Sequence, residues 1–227
     1  IELHAESVFV LDGLIRRHHG SRRKLGAWGH ALTRPAFVEV EAVQRAVTWA
    51  GVTGGRVYIV HVSAGGSADV IKAGQERGVH VYGETCPQYL LLDDSVFRRR
   101  DGHLYATCPQ IKTKADSERL WRGLANGEIS LIATDTCTFT RGQKAMWGGD
   151  FTKIPFGMPG VETMLPLMHS FGPAKGRFSL NRLVQLVSSN PARIHGLYPR
   201  KGTLSIGADA DVVVFDPRRR VVVTPGR

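Results

Sequence analysis

The fold is decided by residues 57–85, VYIVHVSAGGSADVIKAGQERGVHVYGET. Residues 57–60 and 79–82 are short runs rich in valine, isoleucine and tyrosine. Between them, residues 68–77 have apolar side chains at helical spacing, and Gly78 is well placed to end the helix. A strand, a helix and a second strand in this order predict a βαβ unit, and therefore a parallel sheet covered by helices.

The flanking segments repeat this alternation. Further strands are predicted at residues 1–3 and 129–133, and further helices at residues 116–125, 178–189 and 190–195. About four strands of barrel type are therefore present, whereas a closed (β/α)8 barrel needs eight. We predict an α/β fold consisting of a partial (β/α)8 TIM barrel, about its last four βα units.

The character of the sequence changes at Gly202. Residues 203–206 and 212–215 predict two strands joined by a turn at residues 207–211, with no helix between them. Two strands leave edges and one apolar face uncovered, so we expect them to need partner strands from elsewhere. We divide the chain into a partial TIM-barrel domain, 1–201, and the start of a small all-β element, 202–227. Both ends interrupt a predicted element, so we expect the chain to be a piece of a longer protein.

The formal net charge of +10 raises the question of a nucleic-acid partner. The basic residues form short clusters, Arg22-Arg23-Lys24, 98–100 and 218–220, in predicted loops or at an edge. They form neither a helical stripe nor a pattern interleaved with aromatic residues, so we predict no nucleic-acid partner.

Hydropathy and cysteine usage indicate a cytoplasmic protein. No stretch approaches the roughly 20 apolar residues that cross a bilayer, so we predict no membrane partner. The three cysteines, Cys86, Cys108 and Cys137, are far apart and include no Cys-x-x-Cys pair, which favours a reducing compartment. We interpret Cys86 and Cys137 as small buried apolar residues.

Three candidate metal ligands each follow a predicted strand. His4 follows residues 1–3, His61 follows residues 57–60, and Asp135 follows residues 131–134. In parallel α/β folds these strand ends meet where active sites are built. Two neutral imidazoles and a carboxylate suit a divalent ion such as zinc. Their spacing defines no local motif, so histidines that only satisfy hydrogen bonds remain the alternative.

Seven ordered segments carry a family resemblance. They are HAE at 4–6, HALTRP at 30–35, YIVHVS at 58–63, GETCPQYL at 83–90, TDTC at 134–137, DFTKIP at 150–155 and GADAD at 207–211. Together they cover nearly the whole chain in the order found in the dihydropyrimidinase/D-hydantoinase family of cyclic amidohydrolases, which the chain resembles. Glu84 and Gln88, within the fourth segment, either line a pocket or shape the loop.

The resemblance implies a (β/α)8 barrel beside a small β-sandwich, and a binuclear zinc centre that hydrolyses a cyclic amide bond. By the same resemblance this chain is the C-terminal half of such a protein, and residues 202–227 are part of the β-sandwich. In the family, the histidines matched by His4 and His61 bind one ion. The aspartate matched by Asp135 binds the other and acts as general base and acid. The family also implies a small cyclic amide as substrate and a homo-oligomer, commonly a tetramer. Its His-x-His pair and bridging carboxylated lysine have no counterpart here, so we expect this chain to carry only part of the active site.

Two positions depart from the family pattern. Cys108 stands where the family usually has a serine, and Phe156 where it usually has an asparagine. By resemblance both positions bind the substrate ring through the backbone, so the substrate is left open. An allantoinase or dihydroorotase type of enzyme, a non-catalytic scaffold of the same fold and a truncated inactive fragment remain alternatives.

Overall fold

The computed structural model describes residues 1–20 and 24–224, so Arg22 and Arg23 of the first basic cluster and the last three residues of the predicted second domain lie outside the described residues. The fold is built on a four-stranded parallel sheet in the order β1-β2-β3-β4. Its strands are β1 (Glu2–Leu3), β2 (Arg56–Ile59), β3 (His80–Thr85) and β4 (Leu131–Ile132). Each strand lies beside its predecessor in the chain, which confirms the predicted α/β fold with a parallel sheet.

The described part of the chain contains ten α-helices. They are α1 (Val8–His19), α2 (Trp28–Thr33), α3 (Ala36–Thr53), α4 (Gly65–Glu76), α5 (Pro87–Leu91), α6 (Lys114–Asn126), α7 (Arg141–Ala145), α8 (Met164–Phe171), α9 (Leu180–Val184) and α10 (Asn190–Ile194). Helix α4 connects β2 to β3 and packs between α3 and α6. Within residues 1–20 and 24–224, no helix combines the length and the apolar character needed to cross a membrane.

The helix predicted over residues 178–189 differs from the structure. Helix α9 ends at Val184, a π-helical turn spans Gln185–Ser189, and α10 follows directly. Pro191 has no backbone N–H to donate to the preceding turn, which accounts for a change of hydrogen-bonding pattern just before it.

Apolar side chains from the sheet and its helices form one core. Val47 of α3, Ile59 of β2, Ile71 of α4 and Leu120 of α6 are all fully buried in it. The loops that begin at the ends of β1, β2 and β4 are therefore anchored at one end by buried strands.

The prediction of two strands at 203–206 and 212–215 is wrong for the C-terminal segment. No strand is present among the described residues of this segment, 202–224. Its apolar side chains face solvent: Leu204 is 80% exposed and Val214 is 94% exposed. The physical reason is the absence of a neighbouring strand in the described chain, because an extended segment without a partner cannot satisfy its backbone N–H and C=O groups.

Candidate active site

Four polar side chains lie at one edge of the sheet. His4 follows β1 directly, and His61 lies two residues after β2. Glu84 is the second-last residue of β3, and Asp135 lies three residues after β4. Because all four strands are parallel neighbours, their carboxyl ends meet at the same edge. The chain therefore brings two imidazoles and two carboxyl groups to one side of the sheet.

The structure brings His4 and His61 into direct contact. The Nδ1 atom of His4 is 2.9 Å from Nε2 of His61, and the two rings meet edge to face with centroids 4.7 Å apart. Burial, together with the positive charge of His4, lowers the pKa of His61 to about 4. His61 is therefore a neutral imidazole at neutral pH, the form that binds metal ions.

The backbone at His61 is held in an unusual conformation. Its φ angle is +41°, in the left-handed region that non-glycine residues rarely adopt. Glu84 fixes this turn from β3: its Oε1 accepts a hydrogen bond from the His61 N–H at 3.3 Å, and its Oε2 accepts one from the Tyr58 hydroxyl. Of the two roles considered for Glu84, the structure favours the shaping of the loop.

A second carboxylate fixes the next part of the same loop. Glu39 of α3 is buried, and its Oε1 accepts hydrogen bonds from the N–H groups of Ser63 at 3.1 Å and Ala64 at 3.0 Å. Its Oε2 accepts a hydrogen bond from the Ser63 hydroxyl. The strained turn at His61 is therefore held on both sides, as expected where surrounding structure stabilises an unfavourable backbone conformation.

Asp135 lies in a similar backbone conformation, with φ of +47°. The residue is exposed, yet partial burial of its carboxyl group raises the pKa of Asp135, while the positive charge of His4 opposes this effect. The electrostatic effect of His4 indicates that the two side chains face the same region. No hydrogen bond joins Asp135 to either histidine among those described for residues 1–20 and 24–224.

Sequence reasoning missed a buried ion pair behind His4. The Nε2 atom of His4 is 2.9 Å from Oε2 of Glu6, and the same oxygen accepts a hydrogen bond from Arg34 at 2.6 Å. Burial alone would raise the pKa of Glu6, but the hydrogen bond from His4 and the charge of Arg34 lower it to about 2. Hydrogen bonding to Cys108 and to Glu6 raises the pKa of His4 to about 10, against the opposing effect of burial.

The two residues predicted to bind substrate occupy different environments. The Cys108 sulfur is 3.3 Å from Oε2 of Glu6 and 4.0 Å from Nε2 of His4, so it borders the histidine pair. The Phe156 ring stacks on His30 with centroids 4.6 Å apart, and the Arg34 guanidinium lies 5.2 Å from the Phe156 ring centre. The Phe156 ring therefore contacts His30 and Arg34, whereas Cys108 contacts the His4 side chain.

The other two cysteines, both predicted to be buried, differ in the structure. Cys86 is fully buried, as predicted, and burial raises its pKa well above the usual value. Cys137 is exposed, so the prediction that it is buried is wrong. It lies in the loop after β4, where its N–H donates to the carbonyl of Met158 at 3.3 Å.

His30, which stacks on Phe156, should make the free energy of unfolding depend on pH. It is buried, it donates from Nε2 to the carbonyl of Thr107 at 2.8 Å, and burial and the charge of Arg34 lower its pKa from 6.5 to about 3. Below pH 6.5 the unfolded chain binds a proton that the folded chain excludes. We therefore expect the free energy of unfolding to fall as the pH drops from 6.5 towards 3, by up to about 1.4 kcal/mol per pH unit from this group.

Urea denaturation across this pH range measures the effect. The variant His30→Gln should have a flatter pH dependence than the parent chain, whatever its absolute stability. His80, exposed at the start of β3, provides the control variant His80→Gln, which tests whether removal of any imidazole has the same consequence. Identical slopes for the parent and His30→Gln would contradict the assignment.

The donor atoms at the sheet edge fit a divalent metal ion. Two imidazole nitrogens bound to one tetrahedral zinc ion lie about 3.3 Å apart, close to the 2.9 Å between His4 Nδ1 and His61 Nε2. Glu6 accepts a hydrogen bond at the other nitrogen of His4, an arrangement that orients metal-binding histidines in many proteins. His61 Nδ1 is buried and has no hydrogen-bond partner among the described residues.

Comparison with known proteins identifies the family of this chain. A model of the amidohydrolase family matches residues 24–225. The D-hydantoinase of Geobacillus stearothermophilus is 40% identical over 227 residues, which cover 99% of this chain and 48% of that protein. The D-phenylhydantoinase of Escherichia coli O1:K1 is 42% identical over 192 residues, covering 84% and 42% respectively.

A solved structure shows the same similarity in three dimensions. The D-hydantoinase (dihydropyrimidinase) of a Thermus species superposes with a TM-score of 0.93 at 33% identity, over 98% of this chain and 49% of that one. The chain thus spans about half the length of the relatives it matches. The chain belongs to the amidohydrolase family, and its homologues there are hydantoinases and dihydropyrimidinases, as the resemblance implied.

Proposed function

We propose that this chain carries part of the active site of a metal-dependent cyclic amidohydrolase, which opens a dihydropyrimidine or hydantoin ring by hydrolysis of a C–N bond. The single observation that carries the proposal is the contact between His4 and His61, 2.9 Å apart at the strand edge that also bears Asp135. The names of the hydantoinase relatives support the same class of reaction.

Each of the three residues has a distinct proposed role. His4 and His61 would hold one zinc ion, and Asp135 would hold a second. When bound, such ions supply Lewis acidity to the substrate carbonyl and lower the pKa of a water molecule. Asp135 acts as the general base and then the general acid. It takes a proton as water attacks the carbonyl carbon, and returns it to the ring nitrogen as the C–N bond breaks.

The chain supplies only part of the ligand set. Catalytic zinc sites normally have three protein ligands, whereas two are proposed here for one ion and one for the other. The remaining ligands would come from the half of the relatives' length that this chain does not match. We accordingly propose that the four-stranded sheet is part of a (β/α)8 barrel comprising residues 1–201, and that residues 202–227 belong to a β-sandwich.

The proposed substrate is a small cyclic amide that binds beside Cys108. The backbone at Cys108 and Phe156 would contact the ring, and the Cys108 side chain borders His4. We further propose a cytoplasmic location, because the three cysteines, Cys86, Cys108 and Cys137, are all free. A homo-oligomer is proposed from the family resemblance alone.

The exposed apolar residues of the C-terminal segment favour one other candidate, an inactive fragment. Ile206, Val213 and Val214 are largely exposed, and such surfaces promote association. Gel filtration separates these candidates: the fragment hypothesis predicts aggregation of the isolated chain, and a folded domain predicts a discrete species.

Metal removal tests the proposed function. The protein that contains this chain should open hydantoin or dihydrouracil, lose that activity when incubated with a chelator, and regain it with added zinc. Ring opening can be followed by the loss of ultraviolet absorbance of the cyclic amide. Activity that persists after complete removal of metal would contradict the mechanism.

A further inference from the structure

A group of three metal-binding side chains lies behind the histidine pair. His4, Glu6 and Cys108 each offer one donor atom, and these atoms lie within 4.8 Å of one another. We propose that they form a site for one thiophilic divalent cation. This site does not include His4 Nδ1 and His61 Nε2, the two atoms in contact at the histidine pair. The ion would be bound by the Cys108 sulfur, by Glu6 and by Nε2 of His4.

The distances between the donor atoms suit such an ion. A tetrahedral zinc ion with sulfur, nitrogen and oxygen ligands separates them by about 3.3–3.6 Å. The observed separations are 2.9 Å for His4 Nε2 and Glu6 Oε2, 3.3 Å for Glu6 Oε2 and the Cys108 sulfur, and 4.0 Å for that sulfur and His4 Nε2. Side-chain movements of less than 1 Å therefore place all three donors around one ion.

A second observation points to a ligand at this place. The Glu6 side chain is only 3% exposed, and its Oε1 atom is buried without a hydrogen-bond partner among the described residues. A buried carboxylate oxygen without a partner is costly. Oε2 of Glu6 is the oxygen near His4, Arg34 and Cys108, so a cation that both Glu6 oxygens bind would also satisfy Oε1. With the thiol deprotonated by the ion, the donor set has two negative charges, which balance the positive charges of Arg34 and Lys112 near Glu6, so the ion meets no net positive charge from these groups.

The sulfur determines which ions this site selects. Thiolates bind soft ions, and a serine hydroxyl at the same position would not. Since the family usually has a serine there, the site is a property of this chain's Cys108 and differs from the proposed catalytic centre, which uses the other nitrogen of His4.

Binding of an ion at this site would affect the proposed hydrolase activity. This inhibitory effect rests on the proposed function. A neutral imidazole has one nitrogen lone pair, because the other nitrogen carries the proton. With an ion bound to Nε2 of His4, the remaining ring proton lies on Nδ1, the atom that faces His61. A thiophilic ion at Cys108 therefore excludes a metal ion from Nδ1 and acts as an inhibitor.

Cadmium titration of this chain tests the site through the ultraviolet charge-transfer band of a cadmium–thiolate bond. We expect the band to appear with the parent chain and to be lost with Cys108→Ser. The matched control is Cys137→Ser, which removes an exposed thiol outside the cluster and should retain the band. Far-UV circular dichroism of Cys108→Ser checks that the chain is folded, and nitrogen-15 shifts of His4 show which ring nitrogen binds cadmium.

The outcomes separate this proposal from the proposed function. The variant His61→Ala removes one ligand of the catalytic pair and should keep the cadmium–thiolate band, because His61 is not a ligand here. A band that survives in folded Cys108→Ser, or one that is absent from the parent chain, overturns the proposal, as does cadmium bound at Nδ1. None of these measurements requires hydrolysis. The cadmium site can therefore be tested even if the protein shows no ring-opening activity.

Discussion

Replacement of Asp135 by asparagine should slow the hydrolysis of a cyclic amide by about 10²- to 10⁴-fold, the usual contribution of a general acid–base group. An amide cannot accept the proton of the attacking water at neutral pH. The asparagine side chain is nearly the same size as that of aspartate, and asparagine tolerates the positive φ of +47° found at this position. The variant Asp135→Asn therefore removes the chemistry and leaves the backbone as it is. Initial rates with hydantoin, measured on the zinc-loaded protein, give the change in kcat.

An aspartate away from the sheet edge provides the matched control. Asp69 of α4 is 66% exposed and pairs with Arg119 at 2.7 Å, so Asp69→Asn removes one surface ion pair. Such pairs contribute little to stability, and we expect its kcat to equal that of the parent protein. A kcat for Asp135→Asn within a factor of two of the parent value would contradict the proposed role of Asp135.

The sheet could be predicted from the sequence because burial leaves a local pattern. Residues 57–60 form a contiguous apolar run, as a strand covered on both faces requires, and residues 79–82 are interrupted only by His80, which is exposed at the start of β3. Residues 212–215 contain the same kind of run, yet they form no strand. The difference is whether a neighbouring strand is present, and a local pattern carries no information about that.

The candidate site could be predicted only in part for a similar reason. His4, His61 and Asp135 each follow a strand, and the parallel arrangement determines where strand ends meet. Glu6 and Arg34 form their ion pair across 28 residues through the packing of the segment after α2 against the end of β1. One local signal was available: His4 and Glu6 are two residues apart, a spacing that places side chains on the same side of an extended segment.

Replacement of Glu39 by alanine should lower the free energy of unfolding by about 3–5 kcal/mol, because three buried donors lose their acceptor at roughly 1–3 kcal/mol each, before any relaxation of the loop. The change leaves the N–H groups of Ser63 and Ala64 and the Ser63 hydroxyl without their acceptor. It also releases the loop that holds His61 at its φ of +41°, so the loss of stability should be accompanied by weaker metal binding at the histidine pair. Urea denaturation and zinc titration measure the two effects.

Glu41 of the same helix makes the comparison specific. It is exposed, and its one ion pair within the described ranges is with Arg45, four residues further along, at 3.3 Å. The variant Glu41→Ala should therefore change the stability by no more than about 0.5 kcal/mol. The variant Glu39→Gln retains one acceptor oxygen but turns an amide N–H₂ group towards donors, and we expect a loss between the other two. Equal stabilities for Glu39→Ala and Glu41→Ala would show that the Glu39 carboxylate does not hold the loop. The conformation of His61 would then have to depend on Glu84 alone, through its bond to the His61 N–H.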